Sequence, residues 1–209
     1  MTDSFRAPGE LRTDEFVLRP LRASDAALDH EAVMETKDSL RVWEQSGWPA
    51  DDFTVEANRE DLARLEARHD AGESFTYTLF DPDGVQCLGC VYIFPTSASL
   101  FAKAEIRALG DAQWEDFDLV VYFWVRRSMW ESALDERLVS SLEAWLRDEW
   151  RTDRALIHTS ELFDRQVKLL AASGRVRLFE LSFDAKPGKE LAYAMPVGSE
   201  PSNCGRHSK

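Results

Sequence analysis

The chain has 209 residues, 44% of them hydrophobic and 30% charged, which suits one domain with a substantial core and excludes a chain disordered throughout. Acidic residues outnumber basic ones by 38 to 25, and the net charge of −13 argues against nucleic acid or an anionic membrane as partner. The longest apolar run, residues 119–125, is too short to span a bilayer, the first ten residues lack the apolar stretch of a signal peptide, and three cysteines make no disulfide framework; the sequence reads as that of a cytoplasmic protein.

Residues 1–13 read as a flexible N-terminus, 14–197 as a single domain, and 198–209, which lack an apolar anchor, as a disordered tail. Within the domain, Phe16-Val17-Leu18-Arg19 is a short strand stopped by Pro20. Ser24 is placed to cap a helix reaching about Lys37, with Asp25 in its first turn. Thr54 opens a second helix whose Leu62 and Leu65 face inward, and Gly72 ends it. Residues 75–80 and 85–94 are strands of a hairpin around Asp81-Pro82-Asp83-Gly84, a turn in which Pro fixes φ and Gly accepts a positive one. Residues 95–116 give a weak signal and read as a long connection.

Residues 117–125 (FDLVVYFWV) are apolar, β-branched and aromatic, as in a central strand buried on both faces. Leu134, Leu138, Leu142, Trp145 and Leu146 recur at helical spacing as far as about Trp150. A strand at 155–159, a helix at 164–172 closed by Gly174, and strands at 176–183 and 191–197 complete the chain. The order is mixed α/β with strand–helix–strand units in its second half. Cys87 and Cys90 sit three apart, so on a straight strand they point to opposite faces and share no metal.

This order, with the residues in it, resembles the GNAT superfamily of N-acetyltransferases, in its ribosomal-protein N-terminal acetyltransferase branch. Phe16-Val17-Leu18-Arg19-Pro20-Leu21 followed by Asp25 is similar to the opening of that branch, Leu88-Gly89-Cys90-Val91-Tyr92-Ile93 to its third strand, and Val121-Tyr122-Phe123-Trp124-Val125-Arg126 to its fourth. The likeness covers residues 16–197. It implies a mixed central sheet splayed beside the fourth strand, with helices on both faces. Acetyl-CoA would be the co-substrate in the gap, its pyrophosphate on backbone N–H groups between that strand and the next helix.

Carried onto this chain, the resemblance makes Val125, Arg126, Arg127, Ser128, Ser132, Ala133 and Leu134 the coenzyme-holding segment. His158 or a loop carboxylate becomes the proton relay and Tyr122 the acid. Trp43 and Trp48, flanking the loop after the first helix, would line the acceptor groove, and Asp116 and Asp118 would receive a cationic substrate. Each has a plainer reading beside it: a half-buried, hydrogen-bonded histidine, a core tyrosine, tryptophans packed under a lid and a solvated acidic loop.

The sequence also departs from the family pattern. Trp130, Ala133 and Asp135 stand where the pyrophosphate loop has Arg or Gln, Gly, and Gly or Ala; Phe163 and Leu170 stand where many members have an Asn and a Tyr. Alanine at the first Gly position is tolerable at negative φ. Glu131 and Asp135 bring carboxylates to a phosphate site, although with Ser128 and Ser132 they also fit ordinary helix capping. Arg126, Arg127, Arg165 and Lys168 are candidates for a basic rim. Two functions are compatible with this pattern. One is an acyl-CoA-dependent N-acyltransferase acting on a small-molecule or peptide amine. The other is a non-catalytic GNAT-like protein that has lost coenzyme binding and serves as a binding or dimerisation module, with the last two strands able to pair with a second subunit.

Overall fold

The computed structural model describes residues 7–196. In chain order its strands and helices are β1 (Leu11–Arg12), β2 (Val17–Pro20), α1 (Ala26–Glu44), α2 (Val55–Asp70), β3 (Phe75–Phe80), β4 (Cys87–Pro95), β5 (Ala104–Ala108), β6 (Leu119–Val125), α3 (Leu134–Asp148), β7 (Arg154–Ser160), α4 (Asp164–Ala172), β8 (Arg177–Phe183) and β9 (Glu190–Pro196). The strands form one sheet in the order β1-β2-β3-β4-β6-β7-β9-β8-β5. All neighbours run antiparallel except β6 and β7.

Alternation along the strands sorts their side chains between two layers. Val91, Ile93, Val121 and Phe123 pack with Leu134, Leu138, Leu142 and Trp145 of α3 and Leu170 of α4. Cys87, Cys90 and Trp124 face the other way, towards Val33, Leu40 and Trp43 of α1 and Leu62 of α2. Neighbouring residues of β6 therefore serve opposite faces of the sheet.

The parallel pair is short. Leu119, Val120 and Val121 oppose Ala155, Leu156 and Ile157, and there the pairing stops. Phe123, Trp124 and Val125 continue on β4, while His158, Thr159 and Ser160 continue on β9. The sheet is thus splayed beside β6, the mixed, open architecture that the resemblance implies.

Several local expectations give way. Helix α1 runs seven residues past Lys37, to Glu44, and places Trp43 in its last turn; Gln45, at φ 58°, ends it. Ser24 makes no cap: Ala23–Asp25 form a 3-10 turn, and the Asp25 carboxylate takes the Arg19 guanidinium at 2.9 and 3.0 Å. Inside the supposedly loose N-terminus, Leu11 and Arg12 pair with Leu18 and Val17. Within the 95–116 connection lies a whole strand, β5, hydrogen-bonded to β8; its largely exposed, mixed-polarity sequence carries no clear period. The last two strands both lie in the chain's own sheet. Residues 1–6 of the expected flexible N-terminus, residue 197 at the end of the expected last strand, and the expected disordered tail 198–209 lie outside the described residues.

The cysteines differ as well. The β3–β4 register slips between Leu79 and Phe80, so Phe80 opposes Cys87 while Leu79 opposes Gly89. This bulge puts Cys87 and Cys90 in the same apolar layer against α1 and α2. Gly89 is obligatory at the bulge, because a Cβ there would lie 2.2 Å from the Trp124 carbonyl oxygen. Both thiols are buried, and burial pushes each well above its ordinary pKa. Among the described residues no group of three or more His, Cys, Asp or Glu side chains is arranged to hold a metal, and no helix is long and apolar enough to cross a membrane.

Candidate functional site

Two regions flank the free end of β6. On the α1/α2 face lies a cavity of about 390 Å³, walled by Trp43, Trp48, Tyr92, Phe94 and Tyr122 and closed at one side by Phe183 and Lys186 of the β8–β9 hairpin. Its walls are ring against ring: Trp43 lies 6.0 Å from Tyr92 and 6.5 Å from Tyr122, and Phe94 lies 5.6 Å from Tyr122, centroid to centroid. Arg41 donates to the Pro49 carbonyl at 2.9 and 2.7 Å, which pins the turn carrying Trp48. The hairpin is held by Gln45, which accepts from the Gly188 amide at 2.7 Å and donates to Glu190 at 3.0 Å.

A buried polar cluster underlies this cavity. Lys186 Nζ donates to Glu190 at 2.8 Å and stands 3.9 Å from Glu44. Burial pushes both carboxyls upward, and Lys186 acts against it. His158 is fully buried, with Nδ1 3.6 Å from Glu190 and neither ring nitrogen hydrogen-bonded. Burial and the nearby ammonium hold it well below the ordinary histidine pKa, so it is neutral. Its ring packs edge-on against Tyr122 at 4.3 Å, and burial raises the Tyr122 phenol well above its usual range. The two residues assigned to proton handling are therefore in contact, but Tyr122 alone reaches the cavity.

Asp116 and Asp118 are elsewhere. They precede β6, at the end where it is zipped to β7. Asp116 caps the Gln113 amide at 2.9 Å, and Asp118 is bound by Thr152 at 2.8 Å and by Arg154. The Arg154 contact leads in holding the Asp118 carboxyl below its usual range. Neither acid lines the cavity.

The second region is the gap between β6 and β7. Past the last strand pair, the Phe123 carbonyl accepts from Gln166 Nε2 at 2.8 Å and the Val125 carbonyl from the Trp130 indole at 3.0 Å. Gln166, on α4 and 2% exposed, also accepts from Thr159 of β7 at 2.8 Å, so one amide bridges both diverging strands. A small hollow of about 10 Å³ lies among Phe123, Val125, Trp130, Asp135, Phe163, Arg165 and Gln166, and a wider one of about 480 Å³ opens between α3 and α4 at Glu136, Arg165 and Lys168.

The turn after β6 is bonded from within. Arg127 N donates to the Thr36 hydroxyl at 3.1 Å, and Ser128 N to Glu35 at 2.8 Å, both acceptors lying on the part of α1 just before Lys37. Glu35 also binds Arg126 at 2.5 Å. Burial would raise the Glu35 carboxyl, but the bonds from Ser128 and Arg126 outweigh it and leave the carboxyl below its usual range. Residues 127–132 form a 3-10 turn; Ala133 then takes φ 55°, the left-handed conformation its glycine counterpart would adopt freely, and Leu134 starts α3.

The capping expectation fails here. Ser132 donates back to the Met129 carbonyl at 2.7 Å, and no side chain caps α3. Asp135 is 3% exposed and binds Arg165 at 2.7 Å, while Arg165 also donates to the Trp130 carbonyl at 2.9 Å and lies 4.9 Å over the Trp130 ring. The basic rim is therefore mostly neutralised: Arg126 by Glu35, Arg165 by Asp135 and Lys168 by Asp164, with Arg127 exposed. The Arg127 and Ser128 amides and the Phe123 and Val125 carbonyls thus have partners within the chain. Sequence reasoning missed Glu35, Thr36 and Gln166; the only hint was polar residues at positions that the helical pattern turns inward.

No protein-family model matches the chain, and no curated protein is similar to it by sequence. The fold is nevertheless shared. The ribosomal-protein-S5-alanine acetyltransferase from Vibrio fischeri superposes with a TM-score of 0.65 at 17% identity, over 93% of this chain and 100% of that one. The ribosomal L7/L12 α-N-protein acetyltransferase in complex with coenzyme A gives 0.63 at 12% identity, over 89% and 97%. The microcin C7 self-immunity acetyltransferase in complex with acetyl-CoA and AMP gives 0.65 at 11%, over 91% and 97%. The chain has the GNAT acetyltransferase fold.

Proposed function

We propose that the protein binds a small amphipathic ligand in the aromatic cavity between α1, α2 and the β8–β9 hairpin. The observation that carries this reading is a 390 Å³ space walled by tryptophan and tyrosine rings, with Glu44, Ser46, Asp61, Arg64, Arg68 and Lys186 as its polar lining. A cavity of that size, mostly apolar with a few convergent polar groups, is what small-molecule sites share. The test is ligand-observed NMR with a panel of aromatic amines and aromatic carboxylates. Saturation transfer to panel members is expected with the wild-type chain and not with Trp43→Ala. Absence of any binder, or binding that ignores the substitution, overturns the reading.

A second reading, acyl-CoA-dependent N-acyltransfer from acetyl-CoA to an amine held in the same cavity, is supported by the divergence of β6 from β7 and by the acetyltransferases that share this fold, among them structures bound to coenzyme A or acetyl-CoA. Its acceptor would be a small-molecule or peptide amine. Release of free thiol from acetyl-CoA, dependent on both an amine of the panel and the intact cavity, is the outcome this reading requires. The cytoplasm is the compartment both readings imply.

A further inference from the structure

We propose that the outer edge of β5 is a pairing surface for a second copy of this chain: two β5 strands meet antiparallel about a twofold axis at Ile106, with each Glu105 opposite Arg107 of the partner subunit. The proposal goes beyond the cavity reading and does not rest on it.

An open sheet has two edges. One here is β1, only two residues long; the other is β5, whose five residues pair with β8 without a register shift. In an antiparallel ladder alternate residues turn their N–H and C=O groups to the same neighbour. Leu109 N donates to the Leu178 carbonyl at 2.8 Å, so Arg107 and Glu105, at the same parity, also bond towards β8. The N–H and C=O groups of Ile106 and Ala108 therefore point away from the sheet, as does the Ala104 carbonyl, and among the described residues no strand pairs with that side. Edges are commonly blunted by proline, lysine or a bulge, and β5 has none of these.

The sequence of the edge fits itself. Residues 104–108 read Ala-Glu-Ile-Arg-Ala, alike in size from either end and opposite in charge. An axis at Ile106 lets the two copies of Ile106 exchange both backbone bonds, and each Ala108 N–H meets the Ala104 carbonyl across the axis. Glu105 then faces the partner's Arg107 in the pair type whose side chains approach most closely. Glu105 is exposed and has no ion pair among the described residues. Arg107 is 63% exposed and gives one amino group to Glu180 at 2.8 Å, which leaves further N–H donors of its guanidinium for a second carboxylate. A slip of the axis to Glu105 or Arg107 would set like charges against each other, so the register is specified by charge. A surface that complements itself in this way is what a twofold dimer needs.

Apolar groups agree with this placement. Leu100 and Leu109, 38% and 37% exposed, stand beyond opposite ends of β5. Antiparallel pairing carries the partner's Leu109 towards the Leu100 end. Leu100 also lines the aromatic cavity, so the partner's strand end would lie beside the cavity mouth.

Analytical ultracentrifugation of the full chain is the test. The wild type should form a reversible dimer whose population rises with concentration, with the weak affinity of a short interface. Glu105→Arg and Arg107→Glu each place like charges opposite one another twice and should weaken the dimer about tenfold or more. Lys189 still binds Glu180 in the Arg107→Glu chain. Mixed in equal amounts, the two variants present opposite charges at both crossings and should form a heterodimer about as stable as the wild-type dimer. If Arg107→Glu does not fold, Ile106→Pro carries the test: it removes an outward N–H, which an edge strand tolerates, and should abolish pairing while the far-UV circular dichroism stays unchanged. A wild-type chain that remains monomeric at roughly 1 mM overturns the proposal. So does a dimer that ignores Glu105→Arg and Ile106→Pro, or a mixture of two folded charge variants that does not associate.

Discussion

The cavity and the gap share one strand and differ in what fills them. Tyr122 and Phe123 are adjacent in β6 and point to opposite faces. On the Tyr122 side, large rings stand against one another and leave about 390 Å³; on the other, a single glutamine amide bridges the two strands beside a hollow of about 10 Å³, and the wider space lies further out, between α3 and α4. Rings have few partners to offer one another beyond contact, so a wall of them tolerates a neighbouring void. Unpaired carbonyls seek donors, and here the Phe123 and Val125 carbonyls find them in Gln166 and Trp130. A splayed sheet is therefore not by itself an open site: what matters is whether the groups exposed by the splay are left for a ligand.

Besides Trp43→Ala, three substitutions probe this contrast. The largest effect is expected at Gly89, on the β4–β6 seam that carries both regions. Gly89→Ala sets a methyl carbon against the Trp124 carbonyl and should destabilise the fold by about 4 kcal/mol or more in urea melts. A loss under about 1 kcal/mol would mean that the seam yields and that neither region is rigidly framed.

Next comes Asp29, buried behind the cavity wall and bound to Asn58 at 2.9 Å. Burial raises its pKa from 3.8 to about 6, with the Asn58 bond opposing. A raised folded-state value means that the stability this carboxyl contributes is fully present below about pH 4 and is lost as the pH rises through about 6. The loss amounts to about 3 kcal/mol. The stability of the wild type relative to Asp29→Asn should fall by that order between about pH 4 and pH 7. A difference that stays flat with pH would show that the wall is wetter than it looks.

The smallest effect belongs to the gap. Ala133→Gly relieves the left-handed strain but frees the unfolded chain, for a net gain of about 0.5 kcal/mol. A net loss would mean that the turn does not hold the positive φ in solution.

How much of the molecule is legible in its sequence depends on the same physics. Helix α4 is bounded by Asp164 and Gly174 as the turn chemistry requires, and β3 and the start of α2, where Thr54 accepts from the Ala57 amide, also match. Long apolar periods announce themselves. The bulge at Gly89 does not, because it depends on the approach of the Trp124 backbone, a contact 35 residues away in the chain. Strand β5 is half exposed and borrows its order from β8. The gap is hardest to read. Losses at Trp130, Ala133 and Asp135 are visible in the sequence, but their meaning depends on Glu35, Thr36 and Gln166, which come from two other helices. Asp135 resembles a cap because a cap is a local event, whereas its partner, Arg165, is 30 positions away. His158 is fully buried and neutral, beyond the half-buried histidine that strand position alone suggests.

The internal bonding of the splay is tested most directly at Gln166 itself, by following solvent exchange of its side-chain amide and of the backbone amides of Arg127 and Ser128 by ¹⁵N-resolved NMR. Slow exchange of all three in the free protein is the predicted result. Rapid exchange of the Gln166 amide would contradict it.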